Sequence, residues 1–172
     1  MQEISLPEQL DVLVVLGSIS DQEVAEQIAP VFAEFGVSAH FDVCSAHRDH
    51  ERLELLVASA EEAGCRVFIG VAGMAAHLPG AIAALTGRPV IGVPCASGLA
   101  GLDALLAVAQ MPPGVPVACV AVDAGCNAAL LAVQILATGD DGLAAKLAAY
   151  RANLQRRNRE AGAQLRDALA HE

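Results

Sequence analysis

Hydrophobic positions along this chain follow two alternating rhythms. Five short runs rich in β-branched residues, "DVLVVLG", "SAHFDVCS", "RVFIGVAG", "PVIGVPC" and "PVACVAVD", are nearly continuous in apolar side chains. A strand wetted on one face alternates with period two, whereas a strand covered on both faces does not, so these runs predict buried parallel strands. Between them the apolar positions return every three or four residues. That spacing predicts helices over Asp21–Phe35, Asp49–Ala63, Ala76–Leu85, Leu99–Gln110 and Asn127–Ala137. Strands and helices alternating at these lengths imply right-handed crossovers and an α/β fold: a single-domain, three-layer open parallel sheet of the flavodoxin/Rossmann-like kind. We expect the strand order 2-1-3-4-5.

Local signals sharpen the boundaries. Ser20 and Glu23 form an S-x-x-E pattern, which predicts a capping box at the start of the first helix. Pro30 should kink that helix or end it early, because proline has no N–H to continue the ladder. No linker or repeat divides residues 1–172, so one domain is expected, with its α/β core at about 11–138. The remainder, about 140–170, reads as one long helix. Leu143, Leu147, Tyr150 and Leu154 form an apolar stripe along it, and such a stripe needs something to cover. It packs either on its own sheet or on a neighbouring subunit.

Composition narrows the class. The chain has 172 residues, of which 55% are hydrophobic and 17% charged, which excludes a disordered polymer. No apolar run approaches the roughly 20 residues of a membrane span. The opening "MQEISLPEQLD" lacks the basic-then-apolar layout of a signal peptide, so a cytoplasmic protein with no membrane partner is expected. Five cysteines, an odd number without C-x-x-C spacing, sit mostly in apolar runs and read as small buried hydrophobes in a reducing compartment.

A formal charge of −10 argues against nucleic acid as a partner. Six of the ten basic residues (Lys146, Arg151, Arg156, Arg157, Arg159, Arg166) lie in the C-terminal segment, leaving only Arg48, Arg52, Arg66 and Arg88 before it.

In an open α/β sheet, ligands bind beyond the carboxyl ends of the strands. Those ends carry "GSISD" (Gly17–Asp21), "SAHR" (Ser45–Arg48), "GMAAHLPG" (Gly73–Gly80), "CASG" (Cys95–Gly98) and "DAGCN" (Asp123–Asn127). Small, polar and titratable residues therefore gather on one sheet edge, and five such loops suggest a shared pocket. Gly17, Ser18 and Ser20 can offer amides and hydroxyls to an anion, most naturally a phosphate; equally, Ser20 alone would serve as a helix cap. Asp21 suits ribose hydroxyls, or else a solvated first-turn acid. Arg48 can bind phosphate through paired donors, while Arg66 and Arg88 precede strands and belong at the opposite edge. His47 can exchange a proton near neutral pH. His77 either caps a helix or lines the pocket, and His50 is expected on the exposed face of the next helix. A zinc site from these three histidines lacks recognisable thiolate or carboxylate spacing. The absence of G-x-G-x-x-G and P-loop patterns disfavours dinucleotide and ATP binding.

In this order "GSISD", "SAHR", "AAHLPG", "PVIGVP", "QMPPGVPVA" and "NAALLAVQILA" resemble PurE, the N5-carboxyaminoimidazole ribonucleotide mutase family of purine biosynthesis. The likeness spans roughly Val12 to Ala137. It implies an isomerase that moves a carboxylate from the exocyclic nitrogen of a phosphoribosyl-imidazole to its ring carbon, with no metal, no ATP and no cofactor. By resemblance, Ser18, Ser45 and Arg48 bind the phosphate and Asp21 the ribose, with Gly17, Ser20 and Ala46 completing that end. His47 is the proton-transfer residue. Gly73, Ala75, Ala76, His77 and Leu78 shape the pocket around imidazole and carboxylate. A homo-octamer is implied as well.

The pattern also departs from the family. "SAHRDH" replaces the usual Thr-Pro after the arginine, "AGM" replaces a Gly-Gly, and Gln22 stands where an aromatic residue is common. "CASGLAGLD" and "DAGCNAA" are shortened by one or two residues. Three alternatives to the mutase stay open: a carboxylase of aminoimidazole ribonucleotide using free CO2, a paralogue acting on another phosphorylated heterocycle, and a noncatalytic nucleotide-binding module. "VAGM" and "VDAG" are also similar to LarB, a carboxylase/hydrolase acting on a nicotinate dinucleotide. LarB carries a cysteine just before its Pro-Gly turn, and "QMPPG" has none.

Overall fold

The computed structural model describes residues 4–170, so Met1–Glu3 of the acidic opening and the last two residues of the tail lie outside the described residues. Five strands, β1 (Val12–Leu16), β2 (Ala39–Val43), β3 (Val67–Gly73), β4 (Val90–Cys95) and β5 (Ala118–Cys119), form one parallel sheet in the order β2-β1-β3-β4-β5. The helices are α1 (Gln22–Phe35), α2 (His50–Glu62), α3 (Leu78–Leu85), α4 (Leu102–Ala109), α5 (Gly125–Ala137) and α6 (Asp141–Leu169). This is the expected architecture and the expected order.

Both sheet faces are covered, which is why the strand sequences do not alternate. Val12, Val14 and Leu16 of β1, with Val67, Ile69 and Val71 of β3, pack against α1 and α5. Leu13 and Val15 of β1, with Phe68 of β3, face Leu53, Leu56 and Val57 of α2 and Ile82 of α3. Glycines in the central strands let helices come close. A Cβ on Gly70 would stand 3.0 Å from the Cα of Pro79, and one on Gly92 would stand 2.4 Å from Val108 Cγ1. The start of α3, with Pro79, is thereby pressed onto β3 and β4.

Three local expectations need correction, and the early end offered for Pro30 does not occur. Ser20 does not cap α1. Ser18 is the N-cap of a single 3₁₀ turn at Ile19–Asp21, accepting from the Ser20 N–H, and α1 begins only at Gln22 without a side-chain cap. Pro30 does not end α1, which continues to Phe35 and stops at the left-handed Gly36. The carbonyl left without a donor is that of Glu26, and both Glu26 and Pro30 are exposed, so that carbonyl is not sealed away from solvent.

The fifth apolar run yields a strand of only two residues. Val120 donates to the Gly92 carbonyl and Asp123 to that of Pro94, but Pro94 has no N–H to return, so the ladder breaks up toward the chain's outer edge. The helix expected from Leu99 starts at Leu102, after a turn whose last residues, Ala100 and Gly101, have positive φ.

The long helix α6 spans 29 residues, about 44 Å. Asp140 caps it by accepting the Leu143 N–H at 2.9 Å. Leu143 is buried, and Leu147 and Tyr150 pack on the same core as α1 and α5. The Lys146 ammonium donates to the Phe35 carbonyl at 2.7 Å, and the Tyr150 ring lies against Phe35. The proximal half of the stripe therefore covers its own sheet, while Leu154, Leu165 and Leu169 are exposed.

Candidate active site

The order β2-β1-β3 reverses chain direction across the sheet between β1 and β3. That is the switch point at which open α/β sheets leave a crevice. Here the crevice is a cleft of about 460 Å³, lined by the turns after β1, β2, β3 and β4.

After β1, Gly17 lies against β3, its N–H donating to the Val71 carbonyl at 2.9 Å. A side chain there would approach that carbonyl to 3.5 Å. Ser18 and Ser20 follow on the 3₁₀ turn. After β2, the amides of Arg48 and Asp49 both donate to the Ser45 carbonyl, at 3.1 and 2.9 Å. The turn is closed by Asp49, whose side chain accepts the Arg52 N–H and caps α2. Arg52 braces it further by donating to the Val43 carbonyl and pairing with Asp42 at 2.6 Å. This bracing presents His47 and Arg48 to the cleft.

After β3, the amides of Ala76 and His77 bond back to the carbonyls of Met74 and Ala75. The result is a tight turn that delivers His77 immediately before the helix pressed onto β3.

The two histidines meet. His47 Nε2 lies 2.9 Å from His77 Nδ1, with the rings edge to face at 78° and their centroids 5.0 Å apart. One nitrogen donates a proton that the other accepts, so each imidazole fixes its neighbour's orientation and tautomer. Beside them Arg48 is, among the described residues, the one arginine or lysine lining the cleft. The other early arginines are engaged or distant. Arg52 pairs with Asp42, Arg66 with Asp11 at 2.8 Å, and Arg88 lines a separate depression at the opposite end of β4.

Burial raises the Asp21 carboxyl above its ordinary range, partly countered by hydrogen bonds from Ser20 and Ser18. The Cys95 thiol is pushed up to about 12 by burial, reinforced by Asp21 and Asp123. Cys65 rises to about 11 through burial. These thiols stay protonated near neutral pH and do not make nucleophiles.

Of the expected site residues, Gly17, Ser18, Ser20, Asp21, Ser45, Ala46, His47, Arg48, Gly73, Ala75 and Leu78 line this one cleft. His77 reaches it through His47. Ala76 is instead buried beneath the turn, where it packs in the core with Leu78 and Ile82. His50 turns away on α2, 3.3 Å from Glu54, so the three histidines do not converge on a metal.

Ala72, Met74 and Ser97 also line the cleft, although none was expected as a site residue. Ser97 lies in "CASG", one of the strand-end loops. Its side-chain oxygen accepts the Met74 N–H at 3.1 Å, a bond across 23 residues.

Fold and site together define an open α/β protein with a paired-histidine centre and a single-arginine anion cradle at its switch point. The model of the AIR carboxylase family matches residues 11–157. The "N5-carboxyaminoimidazole ribonucleotide mutase" of Methanocaldococcus jannaschii is 47% identical over 146 residues, covering 85% of this chain and 91% of that protein. A probable mutase of the same description from Methanothermobacter thermautotrophicus is 49% identical over 148 residues, covering 86% of this chain but only 44% of that longer protein. The crystal structure of Treponema denticola PurE superposes with a TM-score of 0.84 at 27% identity, covering 91% of this chain and 99% of that one. The chain belongs to the AIR carboxylase (PurE) family.

Proposed function

We propose that this chain is an N5-carboxyaminoimidazole ribonucleotide mutase of purine biosynthesis, folded as one PurE-like domain. The observation that carries the reading is the His47–His77 contact at 2.9 Å, which ties a second imidazole to the cleft that His47 and Arg48 line. The substrate phosphate is taken by Arg48 with Ser18, Ser45 and the surrounding amides, and the ribose by Asp21. The heterocycle then lies toward His47 and the turn after β3.

As the carbamate N–C bond breaks, its electron pair returns to the exocyclic nitrogen, which takes a proton from His47, and CO2 is released within the cleft. The ring carbon attacks CO2, and His47 removes the proton from that carbon. The imidazole ends as it began, and the net reaction is an isomerisation. His77, hydrogen-bonded to His47, holds the ring in position for both transfers. The chemistry draws only on groups already in the cleft.

The test supplies either the N-carboxylated nucleotide, or aminoimidazole ribonucleotide with bicarbonate, and monitors the C-carboxylated product without ATP. Conversion of the first at low enzyme concentration is expected. Efficient use of the second alone would replace the mutase by a CO2-dependent carboxylase. Inertness to both, with turnover of another phosphorylated heterocycle, would keep the family and discard the substrate.

The same reading includes assembly as a homo-octamer in the cytoplasm. Leu99, Leu102 and Leu106 are exposed along and before α4, as are Leu165 and Leu169 on distal α6. Five unpaired cysteines suit a reducing compartment. Light scattering should give a mass near eight chains, and a stable monomer would refute the assembly. A fluorescent fusion should distribute through the cytosol.

A further inference from the structure

The turn after β3 contains one residue whose placement the catalytic reading leaves unexplained. Met74 has φ +54°, making it one of three non-glycine residues with positive φ among the described residues. A side chain bearing a Cβ adopts this left-handed backbone only against steric resistance, and glycine would remove that resistance. The same side chain is 68% exposed, so packing does not account for it. It nevertheless lines the cleft.

Two features hold it there. Its N–H is fixed by the Ser97 side-chain oxygen. Gly73, just before it, lies so close to β4 that an added Cβ would stand 3.4 Å from the same Ser97 oxygen and 3.5 Å from Cys95. The turn from β3 is thus latched to the loop after β4, and its backbone conformation is over-determined by its neighbours.

The apolar lining clarifies what this achieves. The large apolar side chains around the cleft are Leu78 and Met74. Leu78 is 3% exposed and forms part of the floor. Met74 is the exposed one, standing at the rim between Gly73 and Ala75, on the turn that leads to His77. Apart from it, that rim consists of residues too small to cover anything.

We propose that Met74 is the cover of the reacting end of the cleft, held over it by Ser97, and that it keeps the transferred CO2 from escaping between the two half-reactions. This rests on the mutase reading above. Carbamate cleavage takes up one proton and leaves a free amine and CO2. If CO2 departs before the ring carbon attacks, the enzyme has consumed one proton and released aminoimidazole ribonucleotide, which is a futile decarboxylation. A flexible thioether over the mouth opposes that loss without offering a polar group that could react.

The experiment labels the substrate carbamate with ¹³C, in unlabelled bicarbonate buffer containing carbonic anhydrase, so that escaped CO2 is diluted. Mass spectrometry reads the label in the product, and released aminoimidazole ribonucleotide is measured after subtracting enzyme-free decarboxylation. Wild type and Met74→Leu should retain the label. Met74→Gly should raise the ratio of released amine to C-carboxylated product at least about fivefold, with matching loss of label. Ser97→Ala should move the ratio the same way by less.

Label retention in Met74→Gly equal to wild type would overturn the proposal. So would a melting temperature for Met74→Gly below that of wild type, because that would make the side chain a packing element. A wild-type protein giving no enzyme-dependent product would instead remove the mutase reading itself, and with it this role for Met74.

Discussion

Replacing Arg48 with alanine isolates the electrostatics of the cleft. Four basic residues precede the tail, and their placement leaves this one free to meet an anion. Arg52 is held by Asp42 at 2.6 Å and by the Val43 carbonyl. Arg66 is held by Asp11, and Arg88 lies at the far end of the sheet. In Arg48→Ala a dianionic phosphate would keep only neutral donors from Gly17, Ser18, Ser45 and the local amides, while the Asp21 carboxylate remained nearby. Losing a charge-assisted hydrogen bond costs about 1.5–3 kcal/mol, or about ten- to a hundredfold in affinity. Arg48 is exposed in the free protein, so solvent screening favours the lower half of that range. Isothermal titration with aminoimidazole ribonucleotide should therefore show weakening of at least about tenfold. The wild-type affinity should fall with added salt more steeply than the variant's. Arg48→Lys should restore part of the loss, since a point charge replaces a planar fork. Equal weakening by Arg88→Ala would refute the reasoning, because it would put the phosphate at the wrong edge of the sheet.

Other substitutions test other links. His47→Asn should fold and bind the same nucleotide but lose turnover by on the order of a hundredfold or more; His50→Asn should leave steady-state kinetics unchanged, since its imidazole faces Glu54 on the exposed face of α2. Burial raises the Asp21 pKa, so this group's contribution to stability is complete below the ordinary carboxylate range and is lost as pH rises through the folded value. Asp21→Asn should accordingly melt above wild type at neutral pH, with the difference vanishing near pH ~3; a variant that melts lower at neutral pH would contradict the burial argument. A Cβ on Gly125 would stand 2.5 Å from the Val24 carbonyl oxygen, where α1 and α5 approach. Gly125→Ala should thus cost about 1–3 kcal/mol, read as a lower denaturant midpoint at unchanged slope.

The division between sequence and tertiary structure follows the range of the interactions involved. Continuous apolar runs arise because the sheet is covered on both faces, and helical spacing arises because each helix buries one stripe. Both are local patterns, so the strands, the helices and the edge carrying the chemistry could all be read from residues in order. Helix starts were less secure, because Ser18 and Ser20 are both competent caps and only the path of the chain over β3 decides between them. The fifth strand failed for a reason lying on another strand, since Pro94 of β4 offers no N–H to it. His47 and His77 were each named as candidates, but their contact spans 30 residues and depends on two turns, two strand ends and two rotamers agreeing. Ser97 lay in a strand-end loop and Met74 in the "AGM" departure, but their bond was not legible for the same reason: a serine side chain and a backbone amide acquire meaning only when β3 and β4 lie side by side. Local patterns were enough to mark which segments form strands and helices and where polar residues collect. Which of those residues touch follows from the packing of β1, β2, β3 and β4 side by side, because hydrogen bonds between distant loops depend on positions that no local pattern encodes.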